Sequence, residues 1–239
     1  MRRKVVLSWS GGKDSNLALS ALRADDRYEV VGLLTSITTG YDRVSIHGVR
    51  RELVEAQAAA AGLPLFEVTL EPLSSNAAYE AAFANALAKL RVAVPEVQLI
   101  AFGDLYLEDV RAYREQLLGG TGFEPLFPLW HRDTTHLAAD FINAGFRAVL
   151  VCVDTTQLSA TFSGRSFDGT LLAELPDKVD PCGEGGEFHT FVWDGPHFGD
   201  PIAVRVGETI IRDERFAYTE LMPGGASSGS ERLSSRGDR

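Results

Sequence analysis

The 239-residue chain is 45% hydrophobic and 23% charged, enough apolar content to bury a core and unlike collagen, coiled coil or a disordered segment. A formal net charge of -10 argues against a broad grip on nucleic acid, which needs basic surface, yet permits one phosphate ligand at a helix end. No apolar stretch approaches the ~20 residues of a membrane span, the N-terminal apolar run is too short for a signal peptide, and two cysteines make no disulfide framework. A cytoplasmic protein is expected.

In chain order, five nearly continuous apolar runs read as strands buried on both faces: Lys4–Trp9, Tyr28–Ile37, Leu65–Leu70, Val97–Phe102 and Arg147–Val153. Between them the apolar spacing turns helical, through Val49, Leu53, Ala56 and Ala60, then Tyr79, Phe83, Leu87 and Leu90, then Val110, Tyr113 and Leu117, then Leu137, Phe141 and Ala144. Alternating strands and helices predict an α/β fold with a doubly wound parallel five-stranded sheet, whose ligands bind beyond the carboxyl ends of the strands. The Gly- and Pro-rich stretch LGGTGFEPLFPLW suggests a hinge. After it, HTFVWDG, IAVRVGETIIR and ERFAYTEL read as short antiparallel strands, with Gly207-Glu208 as a hairpin turn. The expected organisation is a first domain over 1–120, a smaller C-terminal α+β lobe over 121–223, and a flexible tail over 224–239 with almost nothing to bury.

The strongest motif is Ser10-Gly11-Gly12-Lys13-Asp14-Ser15, directly after the first strand and opening a helix. Glycines let backbone N–H groups close on an anion. The helix start adds donors and partial positive charge, Lys13 a full charge, and Ser10 and Ser15 hydroxyls. The structural alternative is a glycine turn with Asp14 or Ser15 as helix cap, but Lys13, one of four lysines against 19 arginines, has no structural reason to stand there. The spacing is neither the Walker form nor G-x-G-x-x-G.

Two further constellations carry chemistry. Gly103-Asp104 follow the fourth run and so share a sheet edge with the glycine motif; Asp104 there suits Mg²⁺ or a ribose hydroxyl. The segment DPCGEGGEFHT packs acids, a thiol and an imidazole around three glycines. Glu184 and Glu187 suit ammonium or a divalent cation, and His189 a general base. A plain turn with solvated acids is the alternative. Cys152 reads as an inert core thiol, and Cys182 with His189 lacks the spacing of a zinc site.

SGGKDS resembles the pyrophosphate loop of the N-type ATP pyrophosphatases, the adenine nucleotide α-hydrolase superfamily. HGVRRELVEAQAAAAGLPL, AFGDLYLEDVRAYREQL, PLFPLW and CGEGGEFHTFVWDGPHF are similar to the diphthine–ammonia ligase family, a resemblance running from about Val5 to Phe198. It implies adenylation of a substrate carboxylate by ATP with release of pyrophosphate, then amide formation with ammonia; archaeal and eukaryotic members amidate a modified histidine on an elongation factor. It implies nucleotide binding at Ser8, Ser10, Gly11, Gly12, Lys13, Asp14, Ser15, Thr35, His47, Gly103 and Asp104. It implies catalysis by Lys13, Asp104, Glu184, Glu187 and His189, with ATP and Mg²⁺ (the metal at Asp104). The partners implied are ammonia or ammonium and a carboxylate that can sit on a protein; a homodimer is compatible. The rival readings are sulfur transfer on the same activation, with Cys182 as persulfide carrier, and a non-catalytic ATP-binding sensor.

Overall fold

The computed structural model describes residues 1–45 and 48–224. His47 and the tail from 225 to 239 lie outside the described residues. The chain divides into two compact units, one comprising residues 1–10, 14–45 and 63–133, the other, among described residues, 11–13, 48–62 and 134–224.

The first unit holds β1 (Arg3–Ser8), most of α1 (Lys13–Ala24), β2 (Tyr28–Thr38) and the short β3 (Arg43–Val44). The chain then passes through α2 (Arg51–Ala61) of the second unit and returns as β4 (Leu65–Leu70), α3 (Asn76–Ala93), β5 (Val97–Ala101), α4 (Glu108–Leu118) and β6 (Glu124–Leu126). Five strands are parallel, in the order β4-β2-β1-β5-β6, and β3 pairs antiparallel with the far end of β2. On one face Val6, Leu34, Val68 and Ile100 pack with Phe83, Leu87 and Leu90 of α3 and Leu118 of α4. Val5, Leu7 and Leu33 alternate to the opposite face and are just as buried, which is why the strands read as continuous apolar runs. Chain order reverses between β1 and β5, so the switch point of the sheet lies where the glycine motif and Gly103-Asp104 leave their strands.

The second unit continues with α5 (Thr134–Asn143), β7 (Arg147–Asp154), a 3₁₀ turn, α6 (Gly169–Glu174), β8 (Phe188–Asp194), β9 (Val204–Arg212) and β10 (Phe216–Pro223). Its four strands form a separate antiparallel sheet in the order β8-β7-β10-β9.

Two expectations are corrected here. The run Arg147–Val153 is a strand but not the fifth of the parallel sheet: β7 lies between β8 and β10, both antiparallel to it, and is buried from Ala148 to Asp154. The fifth parallel strand is the three-residue β6, which also puts residues 121–133 with the first unit. Gly207-Glu208 lie inside β9, where a side chain at 207 would come within 3.0 Å of Met222 Cε. The hairpin turns instead at Asp213-Glu214, both left-handed at φ 51° and 52°, closed by Arg215 N donating to Arg212 O at 3.0 Å.

The second core centres on Phe141 of α5, fully buried, stacked on Phe146 at 4.8 Å and edge-on to Phe167 at 5.5 Å. Phe141→Ala should cost about 3–5 kcal/mol of stability; urea denaturation monitored by circular dichroism measures it, and a loss under about 1 kcal/mol would contradict this packing.

Candidate active site

β1 ends at Ser8 and Trp9 N donates to Leu34 O at 2.8 Å, so the backbone is still strand-bound one residue before the motif begins. In the first unit Ser10 Oγ and Ser15 Oγ lie 3.5 Å apart, with Ser15 buried. Gly103 lies directly behind the first turn of α1: a side chain there would meet Asp14 C and O at 3.1 Å and Ser15 N at 3.2 Å. The absence of a side chain at Gly103 is therefore what lets the helix start approach the end of β5. Asp104 follows, and Arg114 of α4 donates to its Oδ2 at 3.4 Å from a guanidinium stacked on Phe102. Burial pushes the Asp104 carboxyl above its ordinary pKa, and the charge of Asp14 adds to this, while Arg114 opposes both. Thr35, on β2 beside Leu34, is buried, and its Oγ1 has no hydrogen-bond partner.

The middle of the motif belongs to the second unit. Gly11 turns through φ 79°. Its carbonyl accepts from Val192 N at 3.0 Å and from Gln57 Nε2 at 2.9 Å. Lys13 is buried; its N–H donates to Thr190 Oγ1 at 3.0 Å, and its ammonium lies 5.8 Å from the Phe188 ring centroid. Phe188 and Thr190 are two apart on β8, hence on one face of the strand, and both meet Lys13.

The acidic glycine block leads into the same strand and is folded around Asp180. The Asp180 carboxylate accepts from Cys182 N at 2.8 Å, Glu184 N at 3.3 Å and Thr134 Oγ1 at 2.7 Å, while Asp180 N donates to Glu187 Oε1 at 3.0 Å. Gly183 is left-handed at φ 69°, and a side chain there would meet Phe188 O at 2.8 Å. Gly185 lies against the Glu187 carboxylate, 2.9 Å from where its own Cβ would be. Glu187 is 5% exposed, and its Oε2 is a buried acceptor with no hydrogen-bond partner. Behind the block, Asp154 N donates to Glu187 O at 2.9 Å and Gln157 Nε2 to Gly185 O at 3.3 Å. Arg215 Nε donates to both Asp154 oxygens at 3.1 Å, and that guanidinium is the main reason the Asp154 carboxyl lies far below the carboxylate range. His189 sits where burial first, and the charge of Lys13 second, push its pKa down to about 4.

Of the residues singled out by sequence, Gly103, Asp104, Asp14 and Ser15 converge in the first unit, with Ser10 beside Ser15; Ser8 and Thr35 lie on its strands. Lys13 and His189 converge in the second unit, where Glu187 and Glu184 share the Asp180 turn. Cys182 is buried with Sγ donating to Thr134 O at 3.3 Å. Among the described residues no three His, Cys, Asp or Glu side chains gather as a metal cage, and no helix is long and apolar enough to cross a membrane. A single carboxylate such as Asp104 can still share a hard cation with phosphate oxygens. Sequence reasoning missed Gln57 and Thr190. The available signal for Gln57 was a glutamine in the apolar stripe of an alanine-rich helix.

Residues 3–124 match the family profile of the diphthamide synthase N-terminal domain, and residues 133–219 that of the diphthamide synthase C-terminal domain. A protein of Danio rerio named diphthine–ammonia ligase is 30% identical over 241 residues, covering 90% of this chain and 91% of its own length. Homo sapiens and Rattus norvegicus proteins of the same name are 29% and 28% identical over 228 and 234 residues, each covering 87% of this chain and 85% of their own.

A histidine whose folded pKa lies below its unfolded value stabilises the fold above the unfolded pKa and loses that contribution as pH falls. His189 should therefore stay neutral from pH 7 to near 4, with stability declining as pH drops below about 6.5. Imidazole resonances followed by NMR test this; titration of His189 near 6.5 in the folded protein would contradict it. Lys13→Ala should raise the value.

Proposed function

The chain belongs to the diphthine–ammonia ligase family, the diphthamide synthases, and from that premise we propose how its residues share the work. It is an ATP-dependent ligase forming an amide from a carboxylate and ammonia. The substrate carboxylate attacks the α-phosphorus of ATP, and the bond to the bridging oxygen breaks with its electron pair leaving on pyrophosphate. Ammonia then attacks the acyl carbon, the bond to AMP breaks, and nitrogen sheds a proton.

Ser10, Gly11, Gly12, Lys13, Asp14 and Ser15 hold the outer phosphates and stabilise the charge that grows on the leaving pyrophosphate. The donor set suits that anion: hydroxyls, glycine backbone, a helix start and one ammonium. Ser8 and Thr35 serve the nucleotide from β1 and β2, the partnerless Thr35 hydroxyl having capacity for a ligand; His47 is assigned to the nucleotide as well. Gly103 lets the helix start close on β5, and Asp104 is the residue that would hold Mg²⁺, with Arg114 opposing the burial that raises its pKa. The metal, when bound, neutralises phosphate charge. Glu187 and Glu184 hold ammonium, the partnerless Glu187 oxygen accepting the proton whose loss frees the ammonia lone pair, and neutral His189 takes the second proton, shed by nitrogen after attack. The relatives' names make diphthine the first carboxylate to test.

The observation that carries this reading is the meeting of the glycine motif with the acidic block: Lys13 is bound through its backbone to Thr190 and lies over Phe188, inside the block that carries Glu187 and His189. Sulfur transfer is not favoured, because Cys182 is buried and bonded to a backbone carbonyl.

Incubation with ATP, Mg²⁺, ammonium and diphthine-bearing protein, followed by nucleotide separation, should yield AMP and pyrophosphate in step with amide; ADP and phosphate would overturn the mechanism. Lys13→Ala should lower turnover by about 10²–10³ with the folded state retained by circular dichroism.

A further inference from the structure

Gln57 lies in the buried stripe of α2, and among the buried residues of that helix (Leu53, Val54, Gln57, Ala58 and Ala61) it alone is polar. It is completely shielded from solvent. A carboxamide so placed costs stability unless its polar atoms are bonded. Its Nε2 donates twice, to Gly11 O at 2.9 Å and to Val192 O at 2.7 Å. Gly11 O also accepts from Val192 N at 3.0 Å, so both lone pairs of that carbonyl are engaged. A planar trans peptide then fixes the plane from Gly11 to Gly12. On the other side of Gly11, a side chain would lie 2.5 Å from Gln57 Oε1. The carboxamide therefore occupies the space that only glycine leaves open, and it does so at a left-handed φ of 79°.

We propose that Gln57 is a positioning residue for ATP: by clamping the Gly11 carbonyl it sets the peptide plane from which the phosphate-binding turn and Lys13 depart. This rests on the reading that Ser10–Ser15 bind the phosphates of ATP. Gly11 and Gly12 are the most permissive residues in the motif, and unclamped they would sample many orientations. An ordered turn has less entropy to lose when the anion arrives. A helix that merely covered a core would not need an amide here, and an apolar side chain of the same length would serve as well or better.

The discriminating variant is Gln57→Met, which keeps chain length and removes both donors. Val54→Ala, a buried truncation one turn earlier on the same helix, controls for lost stability alone. ATP binding by isothermal titration calorimetry should weaken about tenfold in Gln57→Met, the loss of one to two buried hydrogen bonds, and should be unchanged in Val54→Ala. Pyrophosphate alone should show the same ratio. A Gln57→Met protein that binds ATP like the wild type overturns the proposal, as does an equal loss in Val54→Ala. Absence of ATP binding by the wild type would overturn the phosphate-loop reading itself, so the two failures are distinguishable. The wild type supplies a second arm that needs no variant to fold. With glutamine side chains labelled for NMR, the Gln57 amide protons should exchange slowly with solvent and shift on addition of pyrophosphate; rapid exchange or no shift overturns the clamp.

Discussion

A single carbonyl oxygen, that of Gly11, receives hydrogen bonds from β8 and from α2, and the shape of the glycine motif follows from it. Two consecutive glycines have the largest conformational entropy of any dipeptide, so the turn cannot be fixed by its own sterics. It is fixed from outside, by Val192 N and Gln57 Nε2 at one end and by Thr190 Oγ1 on Lys13 N at the other. Val192 and Thr190 are on one strand, two residues apart, so the pleat of β8 supplies both anchors at a fixed spacing. Anything that moves β8 moves Gly11 to Lys13. The acidic block, which enters β8 directly, is thereby tied to the same frame.

Burial gives the charged groups of both units their properties. In the first, Asp104 is desolvated, and the guanidinium of Arg114 is the counterweight that favours its ionised form. Arg114 is itself held by the face of Phe102, the residue that ends the fourth apolar run, so the hydrophobic core orients the cation that serves the acid. In the second, the ammonium of Lys13 and the imidazole of His189 share a buried region, and the cheaper way to keep one positive charge there is to leave His189 neutral. A neutral imidazole retains a lone pair, which is the form needed to accept a proton. The block that contains His189 is held from behind by Asp154, whose carboxylate is locked by Arg215 and Thr156, so Glu187 is presented from a rigid support.

Much of this architecture is written in periodicity. Strands β1, β2 and β5 coincide with apolar runs because a strand whose middle is buried on both faces has little polar alternation, whereas β4, paired with β2 alone, alternates at Glu67 and Thr69. The same property misleads at Arg147–Val153: continuous burial marks a central strand in either kind of sheet and says nothing of its partners' direction. β6 is three residues long and contains Pro125, below the length at which any periodicity exists. The hairpin was hidden because Asp213-Glu214 adopt left-handed geometry without the usual Asn-Gly or Asp-Gly signal, while Gly207 marks a close approach by Met222 instead. The chemical motifs were legible because glycines beside charged residues have few structural explanations. Gln57 was not, since a long polar residue on a helix is ordinarily solvated, and only the position of Gly11 O reveals why it is buried.

The two cysteines show why burial must be read with bonding before chemistry is assigned. Cys182 stands in the most reactive-looking segment of the chain, among acids and glycines, yet its Sγ is given to Thr134 O and its N–H to Asp180. Its thiol thus joins the start of α5 to the Asp180 turn, a role that needs a small buried side chain with a weak donor. A persulfide carrier needs the opposite: an accessible sulfur ionised by nearby positive charge. Cys182 is instead buried, with its thiol hydrogen-bonded to a backbone carbonyl. Nucleophilic attack on an activated acyl group is therefore left to a ligand brought from solution, and the partnerless carboxylate oxygen of Glu187 is well suited to receive a nitrogen that carries its own protons.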